Sequence, residues 1–282
     1  MKRFLQQIFR QFGFEVRRRN GKARTHRGPD RDSLGGVLRQ IHDMGFVPAT
    51  VIDVGAAMGM FTRTCHSVFP DARYLLIEPL EEYLPSLTQI TREIRQTRVE
   101  PAAATAGGGS ATLNVHPDIL GSSLYREIEE GSDVNGAPRQ VRAIRLDQWV
   151  EEQGGISPYL IKIDVQGAEL DVLEGGQATL ADTDVVILEV SLFRFFQHGP
   201  VFHEVLDYMK ARGFVPYDFL GPQYRLIDEA LSQIDVVFVK EEGMLRQIHS
   251  YATPEQRRRQ NQRIRSTILS GMSNKPLCTQ RR

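Results

Sequence analysis

Short apolar runs rich in β-branched residues recur along the chain, separated by stretches whose apolar residues fall at helical spacing. The first run, Val51-Ile52-Asp53-Val54, meets Gly55 and passes through Gly59 into a helical pattern from about Met58 to Val68. Such continuous apolar character predicts a central parallel strand covered on both faces. Tyr74 to Ile77 follows as a second strand, and Leu84, Leu87, Ile90 and Ile94 mark a helix within Leu80 to Arg95. Arg98 to Ala103 reads as a third strand. Ala111 to Val115 and Val141 to Arg145 read as a strand pair, joined by a long excursion through Ser122-Ser123-Leu124 that is a candidate lid, substrate loop or plain surface loop. Leu160 to Ile163 and Asp184 to Ser191 repeat the buried-strand design. Val201, Phe202, Val205, Leu206 and Met209 mark a last crossover helix. Phe214 to Phe219 and Ile234 to Val239 then read as the final strands, with Gly221-Pro222 as the turn in their connection. Ser33 is a candidate N-cap for a helix carrying Leu34, Val37, Leu38 and Ile41. The pattern as a whole is that of one α/β domain.

Composition adds little to this picture, and charge adds more. The 282 residues are 41% hydrophobic and 25% charged, with two cysteines, and no apolar run approaches the roughly 18 residues that span a bilayer. Neither a disulfide framework nor a zinc site is expected from Cys65 and Cys278, and the reading is of a cytoplasmic protein. The formal net charge of zero conceals an asymmetry: residues 1–31 hold ten Lys/Arg against Glu15 and Asp30, and residues 254–282 hold eight against Glu255. The body is left with 17 basic and 32 acidic residues. Three segments are therefore expected: 1–32, a basic amphipathic helix and flexible linker; 33–245, the catalytic or binding domain; 246–282, a basic and partly disordered extension. In residues 2–12, Phe4, Leu5, Ile8, Phe9 and Phe12 share one helical face, a surface for an anionic membrane, for the domain itself or for a second subunit in an oligomer. The acidic body argues against a nucleic-acid partner.

Candidate chemistry collects at strand ends. Gly55 and Gly59 allow a tight turn with close backbone approach, and the helix after them offers unpaired N–H groups to an anionic part of a ligand. Glu78, at the tip of the second strand and followed by Pro79, is placed to accept both hydrogen bonds of a ribose diol. The dinucleotide pattern G-x-G-x-x-G is incomplete, since Ala57 holds the intermediate position. Asp53 beside the turn would repel a pyrophosphate and favours a cationic cofactor. The D-x-G-x-x-x-G turn with an acidic second strand resembles the opening motifs of Rossmann-like methyltransferases, whose cofactor is the sulfonium S-adenosylmethionine. Ala102, Ala103 and Ala104 leave room for a flat adenine. Asp164 and Glu189 end two further strands on the same rim, where ligands bind in open α/β sheets. Lys162 shares the face of Asp164 and either neutralises it or joins the chemistry; His198 and His203 follow Glu189 and are candidates or ordinary polar residues.

Ile161-Lys162-Ile163-Asp164-Val165-Gln166-Gly167-Ala168-Glu169, continuing through Gly175, resembles the signature of the FkbM family of S-adenosylmethionine-dependent methyltransferases. The resemblance runs from about Val51 to Lys240 and includes the Val51 to Ala56 opening, Glu78-Pro79, Ser122-Ser123-Leu124 and Leu146-Asp147. The chain departs from the family at Gln166, where Glu is usual, and at Ala57-Met58, where Asn is frequent. The resemblance implies a class I fold, a seven-stranded mostly parallel sheet with helices on both faces and an antiparallel last strand. It implies an O-methyltransferase acting on a hydroxyl of a saccharide or secondary metabolite. In that reading Asp53, Gly55, Ala56, Gly59, Glu78, Pro79 and Ala103 serve the cofactor, and Asp164, Glu189, Lys162 and His198 serve catalysis. Asp164 and Glu189 are also the metal ligands if Mg²⁺ acidifies the hydroxyl. A nicotinamide-dependent oxidoreductase and a cofactor-binding scaffold without turnover are the competing readings.

Overall fold

The computed structural model describes residues 30–273, in two compact units that divide between Leu245 and Arg246. The amphipathic segment 2–12 and its basic linker lie outside the described residues. In the first unit Ser33 caps α1 (Leu34–Asp43) as expected, its side chain accepting the Gly36 N–H at 3.1 Å. Next come β1 (Thr50–Val54), buried at all five positions, then α2 (Met60–His66) and β2 (Arg73–Ile77). The first helix after the glycine turn starts two residues later than its apolar pattern suggests, because Ala57 and Gly59 take left-handed backbone conformations, φ 45° and 73°. A 3₁₀ turn over Glu81–Tyr83 leads into α3 (Leu84–Glu93) and β3 (Thr97–Glu100).

The expected strand from Arg98 to Ala103 breaks in two. Pro101 has no N–H for the ladder, and the chain leaves the main sheet there. Ala103 and Ala104 (β4) enter a second, three-stranded sheet with β5 (Gly109–Val115) and, after the short α4 (Ser132–Asn135), β6 (Ala137–Ile144). In it Ala111 faces Val141 in antiparallel register, the pairing the sequence predicts.

The chain then alternates through α5 (Leu146–Glu152), β7 (Tyr159–Ile163), α6 (Glu169–Glu174), α7 (Gln177–Ala181), β8 (Thr183–Ser191) and α8 (Phe202–Ala211). It closes with β9 (Phe214–Tyr224) and β10 (Leu231–Lys240). Gly221-Pro222 is not the hairpin turn but sits inside β9 at a register shift, where bulges absorb a residue without a ladder N–H. The main sheet has seven strands in the order β3-β2-β1-β7-β8-β10-β9, all parallel except β10, which runs against both neighbours. Val51, Leu76 and Ile187 pack on one side with α1, α2 and α3; Ile52, Val54, Ile161 and Leu188 pack on the other with α5 to α8. Strand order reverses between β1 and β7, and the carboxyl ends diverge there to leave room for a ligand.

Among the described residues the second unit carries the helix α9 (Pro254–Ser273), in the extension for which the sequence reading named no element. Its side chains from Pro254 to Ser270 are exposed. Among the described residues no helix is long and apolar enough to cross a membrane.

Candidate active site

A cavity of about 580 Å³ opens at the switch point, within the size range of small-molecule sites. Of the residues nominated from sequence, Gly55, Glu78, Pro79, Ala103, Asp164 and Glu189 line it. The β1 side is built around Glu78. Its Oε2 accepts the Ala57 N–H at 2.8 Å and its Oε1 accepts the Leu80 N–H at 2.9 Å. These bonds fix the carboxylate in place, and each oxygen keeps a second lone pair. Burial pushes its pKa up to about 7. Pro79, Leu80, Tyr83 and the small residues Ala102, Ala103 and Ala104 complete this wall. A nucleoside fits these surroundings: a diol acceptor beside a slot bounded by methyl-sized side chains.

Three nominated cofactor residues act from outside the wall. Asp53 is buried beneath the turn, accepts the Thr62 hydroxyl at 2.6 Å, and is pushed up to about 6 by burial. Ala56 is buried and donates its N–H to the Ile77 carbonyl at 3.1 Å. Gly59 is required by its left-handed backbone, φ 73°, and a Cβ there would also press on the tip of Ile90 of α3. Gly55 does line the cavity, but the close approach that demands glycine is to the chain itself: a Cβ would collide with the Asp164 carbonyl. The glycine turn thus joins the ends of β1 and β7.

At the β7 and β8 side lies a buried polar network. Lys162 Nζ donates to Asp164 Oδ2 at 2.8 Å and stands 3.9 Å from Asp235 Oδ1. Burial works to raise the Asp164 pKa, but the Lys162 charge and hydrogen bond, aided by Gln166, hold it below its ordinary value. Lys162 is held above its own, the charges of Asp164 and Asp235 outweighing burial. The Gln166 amide donates to Asp164 Oδ1 at 2.9 Å and to Glu189 Oε2 at 2.7 Å. Gln223 and Gln233 donate to Glu189 as well, at 2.7 and 3.0 Å. Burial, with the Asp164 and Asp235 charges, raises Glu189 well above the usual carboxylate range.

Gln166 holds this bridge from a left-handed backbone conformation, φ 55°, which costs roughly 1–2 kcal/mol in an L residue. Glu169 braces the same turn by accepting the Val165 and Gly167 N–H groups at 3.2 and 3.0 Å. The Ser123 hydroxyl ties the Ser122-Ser123-Leu124 segment down by donating to the Gln166 carbonyl at 2.6 Å.

Lys162 is absent from the wall and serves the network as an ion-pair partner. His198 is exposed with its ring edge-on to Tyr125 at 5.8 Å, away from the lining, and His203 is exposed on α8. Among the described residues no cluster of three or more His, Cys, Asp or Glu side chains is placed to hold a metal. Sequence reasoning missed Gln223, Gln233 and Asp235 altogether. It registered Gln166 only as a departure from a family pattern, and that departure is the signal that would have found it.

The sheet order and the antiparallel β10 are those of a class I, Rossmann-like fold, and the protein is an S-adenosylmethionine-dependent methyltransferase. The chain belongs to the methyltransferase FkbM domain family, whose model matches residues 53–216. It is 27% identical over 221 residues to the 2-O-methyltransferase NoeI of Sinorhizobium fredii, covering 73% of this chain and 85% of NoeI. It is 27% identical over 139 residues to the hexuronic acid methyltransferase AglP of Haloferax volcanii, covering 49% of this chain and 54% of AglP. An rRNA methylase from Streptococcus thermophilus, of known structure, aligns over 72% of this chain and 93% of its own, with 12% identity and a TM-score of 0.41. Membership of the family decides against the nicotinamide alternative.

Proposed function

We propose that the protein transfers a methyl group from S-adenosylmethionine to a hydroxyl of a saccharide, with Glu78 on the donor side and Asp164 as the proton acceptor. The observation that carries this reading is the Asp164–Gln166–Glu189 bridge, which opens into the same cavity as Glu78. The names of NoeI and AglP, a 2-O-methyltransferase and a hexuronic acid methyltransferase, support a sugar hydroxyl as acceptor. The bound donor supplies an electrophilic methyl carbon for in-line displacement. Everything else is alignment and proton handling, and alignment alone can lower such a barrier by about 7–11 kcal/mol. A neutral sugar hydroxyl becomes strongly acidic only as its oxygen acquires the methyl, so an ionised carboxylate of low basicity suffices as base. Asp164, kept ionised by Lys162, meets that need. Glu189, raised by burial and held by three amides, orients the acceptor. The facing oxygens of both carboxylates already hold the Gln166 amide, which argues against a shared Mg²⁺.

The test is release of S-adenosylhomocysteine in the presence of a glycoside panel. Asp164→Asn should lower turnover by roughly 10²-fold or more, with donor affinity within a few-fold, because an amide keeps the shape but takes no proton. Glu189→Gln should lower it less, and chelator should have no effect. Near wild-type turnover in Asp164→Asn rejects the base; a chelator loss restored by Mg²⁺ reinstates the metal. Donor binding with no methylated glycoside leaves the scaffold reading.

A further inference from the structure

The charges around the acceptor end point to the kind of saccharide that can enter it. Four carboxylates line the cavity, Glu78, Asp118, Asp164 and Glu189, and no Lys, Arg or His does so among the described residues. Lys162, the buried cation nearest to them, is spent. Its one ammonium lies 2.8 Å from Asp164 and 3.9 Å from Asp235, and Asp164 is linked through Gln166 to Glu189, so a single cation serves three acidic side chains. Asp235 Oδ1 has no hydrogen-bond donor at all. The arginines that follow β8 and stand at the hairpin are engaged elsewhere. Arg194 pairs with Glu204 at 2.7 Å and donates to the Gly199 carbonyl. Arg225 pairs with Asp228 at 3.1 Å and lies over the Phe193 ring. His116 is held against Asp118 at 2.6 Å.

An anionic acceptor therefore meets the ionised Asp164 and, near neutral pH, a partly ionised Glu78, with no Lys, Arg or His of the described lining to receive it, in a partly desolvated site where Coulomb terms are several-fold larger than in water. A neutral polyol meets something different: three glutamine side chains, Gln166, Gln223 and Gln233, each with an amide carbonyl as well as the N–H used on Glu189, beside a carboxylate that accepts hydroxyl protons. We propose that the acceptor site is selective for uncharged, hydroxyl-bearing glycosides and excludes uronates and sugar phosphates. This rests on the saccharide reading above. It sets the protein apart from what the name of AglP states of that relative.

The test uses matched probes on the full chain: methyl hexosides of gluco, galacto and manno configuration, each beside its hexuronate and its uncharged hexuronamide. Release of S-adenosylhomocysteine and product mass are the readouts. Hexoside and hexuronamide should be methylated with kcat/KM at least ten-fold above the hexuronate. Gln223→Lys, which brings a cation to the wall, should narrow that gap by raising the hexuronate. Equal or preferred use of the hexuronate overturns the inference and leaves the saccharide reading standing. Methylation of none of the nine probes by protein that still binds S-adenosylhomocysteine removes the saccharide reading, and this inference with it.

Discussion

Glu78 shows how one side chain can brace a turn and also face a cavity. Its two oxygens are held by the N–H groups of Ala57 and Leu80, so the carboxylate organises the turn that a nucleoside would touch. In Glu78→Gln one of those N–H groups would face an NH₂ group, two donors together, and the charge that strengthens a diol contact would be lost. S-adenosylhomocysteine should bind roughly ten- to a hundred-fold more weakly, as expected for a charge-assisted hydrogen bond worth about 1.5–3 kcal/mol. The pH dependence has a definite sign. Burial raises Glu78 to about 7, and a diol prefers the ionised form, so affinity should rise from pH 6 to pH 8 with proton release on binding. Calorimetry in buffers of different ionisation enthalpy reads this directly, and the dependence should flatten in the Gln variant; an unchanged profile there moves the titration to another group. That Glu78, Asp164 and Glu189 share one cavity wall was legible in the sequence because each ends an apolar strand, where position along the strand decides position at the rim. Gln223 and Gln233 were not. They sit among the register shifts between β9 and β10, where an extra residue breaks the two-residue alternation from which side-chain direction is read.

The same contrast holds for whole elements. The four central parallel strands, β1, β2, β7 and β8, were legible because a strand covered on both faces is apolar along most of its length, and that run survives without knowledge of its neighbours. The small sheet was legible only in part. β5 and β6 carry strand-like residues, whereas β4 is two alanines whose pairing with Ala143 and Ile144 is dictated by the break at Pro101. Short elements depend on tertiary bonds, and α7 shows which ones. Five residues long, it starts at Gly176 with no side-chain cap of its own. Asp147, on α5, substitutes: its carboxylate accepts the Ala178 and Thr179 N–H groups at 3.1 and 2.7 Å and the Thr179 hydroxyl at 2.8 Å. Asp147→Ala removes a cap and should destabilise the domain by about 1–2 kcal/mol. Denaturant unfolding should show that loss while the folded fraction keeps its affinity for S-adenosylhomocysteine, because Asp147 is not in the cavity wall. A loss of affinity without loss of stability contradicts the capping role.

For the molecule as a whole, the number of buried carboxyls makes stability a function of pH. Burial raises Asp53 to about 6 and both Glu78 and Glu169 to about 7, from usual values near 4. A raised carboxyl binds its proton more tightly in the folded state, so its contribution is complete below the unfolded pKa and is lost as pH rises through the folded one. These three should therefore make the domain less stable between about pH 4 and pH 7. A shift of two units corresponds to roughly 3 kcal/mol for each group, so the fall should amount to several kcal/mol. Asp164 works in the opposite sense: its folded pKa is lowered, and its stabilisation is lost as pH drops below the ordinary carboxylate value. Stability should peak near pH 4, flanked by acid loss on one side and ionisation of buried carboxyls on the other. Urea unfolding at pH 4, 5, 6, 7 and 8 measures the curve. Glu169→Gln tests its cause without touching the cavity wall, since the amide keeps an acceptor for the Gly167 N–H but no longer titrates. That variant should be less stable than the wild type at pH 5 and lose less stability from pH 5 to pH 8. Saturating S-adenosylhomocysteine should flatten the wild-type curve on its alkaline side, because binding grows stronger over the interval in which Glu78 ionises. A wild-type stability that stays level or climbs from pH 5 to pH 8 would show that these carboxyls are solvated and ionised in the folded protein.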